Sequence, residues 1–148
     1  MSIWVDADAC PNSIKDTLFR AAIRAEIRLT LVANHAIKVT KSPWIHMIQV
    51  EAGFDIADDY IVNNMVDGDL IVTADIALAA ALISKGGQVI TCRGEAYNEQ
   101  NIRQKLAMRD FMATMRASGE MSGGASPMGT KEKQTFANAL DRYITQQS

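Results

Sequence analysis

Cysteine, proline and aromatic residues are scarce in this chain, which holds two cysteines and three prolines and is 6% aromatic. Two cysteines, Cys10 and Cys92, are too few for a disulfide framework or a zinc ligand set. The sequence also lacks an apolar run long enough to span a bilayer. Its first residues lack the basic region followed by an apolar core that marks a signal peptide. We therefore expect a protein of the cytoplasm that does not enter a membrane.

The chain also has fewer basic residues than acidic residues, 15 against 17. The net charge is −2 and the pI is about 5.6. These values argue against a dedicated high-affinity nucleic-acid-binding protein, which usually carries a basic patch and a high pI. They do not exclude an enzyme that acts on nucleic acid, because an acidic metal centre lowers the total charge while a local basic stripe still holds phosphates.

Short apolar strands alternate with helical segments along the 148 residues, a length that suits one domain over residues 1–148. The predicted strands are residues 2–6, 28–33, 45–51, 69–74 and 88–92. The predicted helices are residues 12–26, 55–65, 76–84, 98–117 and 131–146, with a flexible Gly/Ser/Pro-rich loop over 118–130. This alternation predicts an α/β fold, with a mostly parallel five-stranded sheet in a three-layer α/β/α arrangement.

Acidic residues stand where two of the predicted strands end. Asp6 and Asp8 follow the first strand, and Asp75 follows the fourth. In parallel sheets, ligands bind beyond the carboxyl ends of the strands, where the strand order reverses. If the fourth strand lies beside the first, these three carboxylates meet at one cleft.

Carboxylates that lie a few ångströms apart cannot all ionise comfortably unless a cation joins them. Oxygen ligands favour Mg²⁺ or Mn²⁺, and such a metal activates water for attack on phosphorus. Asp58 borders the apolar stripe of its helix and is the best candidate to complete the site, with Asp59 and Asp55 as weaker candidates. The predicted catalytic residues are Asp6, Asp8, Asp58 and Asp75. The predicted metal ligands are the same four residues and Asp59.

Each acid also has a structural interpretation. An aspartate between a strand and a helix is often a helix N-cap. Asp75 is placed to cap the helix that starts at Ile76, and Asp8 to help cap the helix that starts near Pro11. Similarly, Cys10 is either a nucleophile or a buried structural cysteine.

Two groups of residues are candidates for substrate binding. Asn34 and His35 follow the second strand, at the same sheet edge as the acids. Lys105, Arg109 and Arg116 form a basic stripe on one helix, which either binds the phosphate backbone or is a solvated face. The apolar face of that helix packs on the sheet or on a second copy of the chain, as in a homodimer.

Several motifs run through the chain: Asp6-Ala-Asp8-Ala-Cys10-Pro11, Val32-Ala33-Asn34-His35, Gly68-Asp69-Leu-Ile-Val-Thr73-Ala74-Asp75, Asn101-Ile102, Leu106-Ala-Met-Arg109-Asp110 and Gly123-Gly124. Together they resemble the YaiI/YqxD family of uncharacterised bacterial proteins. The resemblance covers nearly the whole chain. It departs from the family pattern after Gly123-Gly124, where Ala125 stands in place of an expected proline.

That family is similar to the PIN-like nuclease superfamily, whose members cut RNA or DNA. The resemblance implies a parallel sheet with an acidic Mg²⁺ or Mn²⁺ centre. It assigns Asp6 and Asp8 as the acids of the first strand and Asp75 as the acid of the fourth. Asp58 or Asp59 would be the acid of the middle helix.

Three functions compete. The first is a metal-dependent nuclease that acts on RNA. The second is a phosphatase of the haloacid-dehalogenase type, in which Asp6 is the nucleophile and the segment from Gly68-Asp69 to Asp75 is the acidic motif. Against the phosphatase, Asp8 is followed by Ala-Cys-Pro, and no lysine is clearly placed to pair with a phospho-aspartate. The third is a non-enzymatic domain that binds RNA or a nucleotide.

Overall fold

Short strands and helices alternate along the chain in this computed structural model, which describes residues 1–53, 55–117 and 129–146. The strands are β1 (Ser2–Asp6), β2 (Arg28–Ala33), β3 (Ile45–Gln49), β4 (Leu70–Val72), β5 (Gln88–Ile90) and β6 (Ala96–Tyr97). The helices are α1 (Asn12–Ala25), α2 (Ile56–Asn64), α3 (Ile76–Ser84), α4 (Ile102–Ala117) and α5 (Thr130–Gln146). A short 3-10 turn, Ala7–Ala9, follows β1.

All described strands form one sheet in the order β3-β2-β1-β4-β5-β6. The first five strands pair in parallel, and β6 pairs antiparallel with β5. The predicted position of β4 beside β1 is confirmed, with Val5 paired to Val72. The sixth strand is a correction to the predicted count of five. It has only two residues, too few to produce a periodic pattern.

Helices cover both faces of the sheet, as the three-layer prediction requires. Ile3 and Val5 of β1 face one core, to which α1 and α5 contribute Leu18 and Phe136. Trp4 and Ile71 face the other core, to which α2, α3 and α4 contribute residues. This division follows from the strand geometry, because successive side chains point to opposite faces.

The helix boundaries have local causes. α1 ends where Glu26 adopts a left-handed conformation with φ 54° and donates its N–H to the carbonyl of Ala22. α4 begins at Ile102 and not at the predicted residue 98. Reciprocal hydrogen bonds hold residues 98–101 as a turn ahead of the helix, since Asn98 Oδ1 accepts the N–H of Asn101 at 2.9 Å and Asn101 Oδ1 accepts the N–H of Asn98 at 2.9 Å.

Two surface features of the fold concern earlier predictions. The apolar face of α4 stays largely open, with Met108 and Phe111 each 57% exposed. In the described ranges, no helix has both the length and the apolar character needed to cross a membrane.

Most of the predicted flexible loop, including Gly123 and Gly124, lies outside the described residues.

The amino edge of the sheet holds a buried carboxylate. Asp69 directly precedes β4 and is 2% exposed. It accepts the backbone N–H of Ser2 at 2.9 Å, the indole N–H of Trp4 at 3.0 Å and the backbone N–H of Val66 at 3.0 Å. These three donors satisfy the carboxylate and join β1 to the turn before β4.

Candidate functional site

The carboxyl ends of β1 and β4 bring two of the predicted acids together. Asp6 is the last residue of β1, and Asp75 lies three residues beyond the end of β4. Thr73 lies between them, because its hydroxyl donates to Asp6 Oδ2 at 3.0 Å and accepts the N–H of Asp75 at 3.1 Å. The sequence analysis gave Thr73 no role, although it stands two residues before Asp75. Its hydroxyl fixes the orientation of the Asp6 carboxylate.

Asp58 reaches the same place from α2. Its carboxyl group is in hydrogen-bonding contact with that of Asp75. Burial, together with the charges of Asp6, Asp75 and Asp55, raises the pKa of Asp58 to about 6. We call Asp6, Asp58 and Asp75 the acidic cluster.

Asp6 is perturbed by the same surroundings. Burial raises its pKa, the hydroxyl of Thr73 lowers it, and the charges of Asp75 and Asp8 raise it further. The net direction is upward, so the repulsion between carboxylates and the loss of solvent outweigh the hydrogen bond. Three elements of the fold therefore direct mutually repelling carboxylates to one point.

The structure distinguishes between the two predicted acids of α2. Asp59 is exposed in the first turn of the helix. Its charge is not among those that shift the pKa of Asp6 or Asp58. Asp58 therefore belongs to the acidic cluster, and Asp59 lies outside it.

Asp8 lies beside the cluster and binds the loop that follows β2. Its Oδ1 and Oδ2 accept the backbone N–H of Asn34 at 3.2 and 3.0 Å, and Nδ1 of His35 lies 2.9 Å from Oδ1. The structure thus brings together Asp8, Asn34 and His35, which were predicted as site residues without a link between them. Sequence spacing carries no signal for this link, because it joins loops 26 residues apart.

The two capping interpretations have different outcomes. Asp75 caps α3, with its Oδ1 accepting the N–H of Leu78 at 3.1 Å. Asp8 does not cap α1, because the N-cap position is Pro11 and no side chain bonds there. Asp75 can therefore cap α3 and belong to the acidic cluster at the same time, because the cap contact uses Oδ1 alone.

The donor set of the cluster fits a hard divalent cation in type and charge. All three residues offer carboxylate oxygens, which Mg²⁺ and Mn²⁺ prefer. As the side chains stand, no group of three or more His, Cys, Asp or Glu among the described residues is arranged to hold a metal. A bound cation would require the carboxyl groups of the cluster to turn toward a common point.

Two free thiols lie near Asp6. Cys10 Sγ and Cys92 Sγ are 3.7 Å apart. The contact with Cys92, followed by burial, raises the pKa of the Cys10 thiol. A buried thiol with a raised pKa is a poor nucleophile, which favours the structural interpretation of Cys10.

The predicted basic stripe on α4 is described in part. Lys105 pairs with Glu95, and this hydrogen bond raises the pKa of Lys105. Arg109 is exposed, while the side chain of Arg116 lies outside the described part of the structure. In that described part, no contact joins Lys105 or Arg109 to the acidic cluster.

A second basic region adjoins the site, and the sequence analysis did not identify it. A groove of about 590 Å³ lies between α1 and residues 35–40, and Lys15 and Lys38 line it. One signal was present in the sequence, since Lys15 follows the Asp8–Pro11 motif and Lys38 follows His35. The fold was needed to show that these two segments share one groove.

Comparison with known proteins gives a family without an assigned activity. The model of a family described as an uncharacterized BCR, the YaiI/YqxD family, matches residues 4–146. A UPF0178 protein of Saccharophagus degradans is 59% identical over 145 residues, covering 98% of this chain and 96% of the relative. UPF0178 proteins of Shewanella piezotolerans (57% identical, 98% and 95% covered) and Pectobacterium carotovorum (55% identical, 99% and 97% covered) are also similar. No solved structure matches the chain significantly.

Proposed function

Because this chain belongs to the YaiI/YqxD family, whose description names no activity, we propose its function from the acidic cluster: a Mg²⁺- or Mn²⁺-dependent nuclease that hydrolyses phosphodiester bonds in RNA. One observation carries the proposal. Three carboxylates from three elements lie together where the strand order reverses, and burial with neighbouring carboxylate charges raises the pKa values of Asp6 and Asp58. The resemblance to PIN-like nucleases agrees with this choice, but only by analogy.

The residues of the cluster have distinct roles in this proposal. Asp6, Asp58 and Asp75 would hold the cation, and Asp8 would add negative charge beside it. The cation, when bound, supplies an activated water and neutralises charge on the phosphate. Thr73 orients Asp6 through its hydroxyl, and the N–H of Leu78 holds Asp75 Oδ1 in place. Asn34 and His35 lie where they would contact the substrate at the edge of the cluster.

The position of Asp69 favours a nuclease over the phosphatase alternative. A phosphatase would need the acids of the segment from Gly68-Asp69 to Asp75 near Asp6. Asp69 is instead buried at the amino edge, and about 13 Å of strand separates it from Thr73. Its three N–H donors keep it there. Within that segment, Asp75 alone lies at the carboxyl edge with Asp6.

The first test is a calorimetric titration of Mn²⁺ into the wild type and the Asp6→Asn/Asp75→Asn double variant. Asparagine is also a good N-cap, so α3 should keep its start. Asp59→Asn is the control, because it removes a negative charge outside the cluster. We expect binding by the wild type and the control and none by the double variant.

The second test is cleavage of 5′-labelled single-stranded RNA with Mn²⁺, with EDTA as the blank. Cleavage that survives in the double variant would refute the proposed site. Metal binding without turnover of RNA, DNA or a phosphate ester would support the non-enzymatic binding domain instead. We place the activity in the cytoplasm, in keeping with two cysteines that are both free thiols.

A further inference from the structure

The groove between α1 and residues 35–40 lies next to the acidic cluster and has the size of a nucleotide site. Its volume of about 590 Å³ falls within the range of small-molecule sites. His35 lines the groove and also contacts Asp8 at 2.9 Å, so the groove opens beside the cluster. We call it the basic groove.

Two ammonium groups give the basic groove its positive charge. Among the described residues, no carboxylate lies within ion-pair distance of Lys15 or Lys38. The contact of Lys15 is with a neutral group, Asn12 Oδ1, at 3.5 Å. One acid, Asp16, also lines the groove, so the lysines outnumber it. Both ammonium groups therefore keep hydrogen-bond donors for a phosphate.

Lys15 also lies near Cys10, at the start of α1. The pKa of Cys10 is raised by Cys92 and by burial, and Lys15 acts against this rise. Its charge therefore reaches the thiol that lies next to Pro11 at the start of α1. His35, which contacts Asp8, is the residue of the basic groove that lies beside the cluster.

The inner wall of the basic groove is apolar. Phe19 of α1 is 7% exposed, and Ile37 and Val39 are half-buried against the same core. An apolar wall with cations near it suits a nucleotide, whose base is flat and apolar on its faces and whose phosphate is charged. A base can enter such a groove only when it is unstacked, as in single strands.

We propose that the basic groove binds the nucleotide next to the scissile phosphate of a single-stranded RNA. Lys15 and Lys38 contact phosphate oxygens, and the base lies against Phe19, Ile37 and Val39. This inference rests on the proposed function, because it names the part of the substrate that the same site holds. It also assigns substrate binding to α1 and the β2–β3 loop, and not to α4 alone.

The test is binding of a fluorescein-labelled RNA 12-mer by anisotropy, in EDTA so that no cleavage occurs, over a series of salt concentrations. Each lysine that neutralises one phosphate contributes about 0.7 to the salt slope on single strands. The Lys15→Gln/Lys38→Gln variant should bind about tenfold more weakly, with a slope smaller by about 1.4. Arg28→Gln is the control, because Arg28 is an exposed cation at the amino edge of the sheet. In the strand register it stands opposite Ser2 of β1.

Three results would overturn the groove proposal. They are affinity of the lysine variant within twofold of the wild type, an equal loss in Arg28→Gln, and no measurable RNA binding by the wild type. A duplex of the same sequence should bind more weakly, and equal affinity would refute the single-strand assignment. Circular dichroism of each variant checks that the fold is intact.

The two proposals fail in different ways. If the wild type binds RNA but does not cleave it with Mn²⁺, the nuclease proposal fails, and a loss of affinity in the lysine variant would leave the basic groove as an RNA-binding site without a scissile phosphate. If the lysine variant cleaves RNA with an unchanged KM, the groove proposal fails and the nuclease stands.

Discussion

Asp69 and Asp75 stand at the two ends of the same strand and meet opposite surroundings. Asp69 is 2% exposed and receives three N–H donors. Asp75 receives the N–H of Leu78 and lies against the carboxyl group of Asp58. A buried carboxylate with enough donors stabilises a fold, whereas carboxylates directed at one another raise its energy. The role of each of these two acids therefore follows from its partners and not from its burial alone.

The largest expected effect is on catalysis, from Asp75→Asn. The variant keeps the cap of α3 but loses a charge that the proposed metal site needs. We expect RNA cleavage with Mn²⁺ to fall by about 10³-fold, the scale seen when one preorganised charge-stabilising group is removed. The melting temperature should stay close to that of the wild type. A variant that melts far below the wild type would show that Asp75 is mainly structural, and would weaken the comparison.

The converse variant, Asp69→Ala, should lose stability and keep activity. It leaves the N–H groups of Ser2, Trp4 and Val66 without their acceptor. The free energy of unfolding should drop by about 3 kcal/mol, measured by urea denaturation. Cleavage per folded molecule at low temperature should be unchanged. A specific loss of turnover in the folded variant would mean that Asp69 acts in the reaction after all.

A smaller effect is expected from Thr73→Val, which keeps the shape of the buried side chain. The hydroxyl of Thr73 lowers the pKa of Asp6, so its removal should raise that pKa further. Asp6 would then be protonated at higher pH and compete less well for the cation. We expect the acidic limb of the pH–rate profile to move to higher pH, with activity reduced on that limb. Thr73→Ser should restore the wild-type profile, and an unshifted profile in Thr73→Val would contradict the role given to the hydroxyl.

The smallest effect concerns stability without metal. The pKa of Asp58 is about 6 in the folded chain against 3.8 for the free side chain, so folding favours its protonated form. Stability is therefore lost as the pH rises from about 4 to about 6, and the full cost remains above that window. In EDTA at pH 7.5, Asp58→Asn should be more stable than the wild type by about 1 kcal/mol, a value discounted because the group is partly solvated.

The pH series provides the control for this prediction. At pH 3.5 the advantage of Asp58→Asn should vanish, and Asp59→Asn should show no advantage at either pH. Addition of Mn²⁺ should stabilise the wild type and not Asp58→Asn, because a ligand of the native state adds to its stability. An equal stability change at both pH values would show that the surroundings of Asp58 do not destabilise its ionised form.

Strand periodicity and one rule of sheet topology were enough to predict the position of Asp6 and Asp75. Each stands where an apolar run ends, and the order reversal between β1 and β4 brings them together. Asp58 stands at the border of the apolar stripe of α2. This position also predicted that its side chain is directed toward the acidic cluster. The metal, the reaction and the substrate stay predictions.

Features that depend on contacts between distant loops were not predictable. The bond between His35 and Asp8 and the shared groove of Lys15 and Lys38 join segments that no local pattern relates. The strand β6 was missed because it consists of Ala96–Tyr97 alone. In each case the missing information was tertiary, and the local sequence was compatible with several arrangements.

The position of α5 has a consequence for synthesis on the ribosome. Phe136 and Leu140 of α5 are fully buried against the core that also contains Ile3 and Val5 of β1. All strands of the described sheet precede α5 in the chain, so the part of this sheet face that α5 covers beside α1 stays exposed until α5 has been translated. The nascent chain must keep this apolar face from aggregating during that interval. The core beneath β1 is therefore completed late, after every residue of the acidic cluster has already been made.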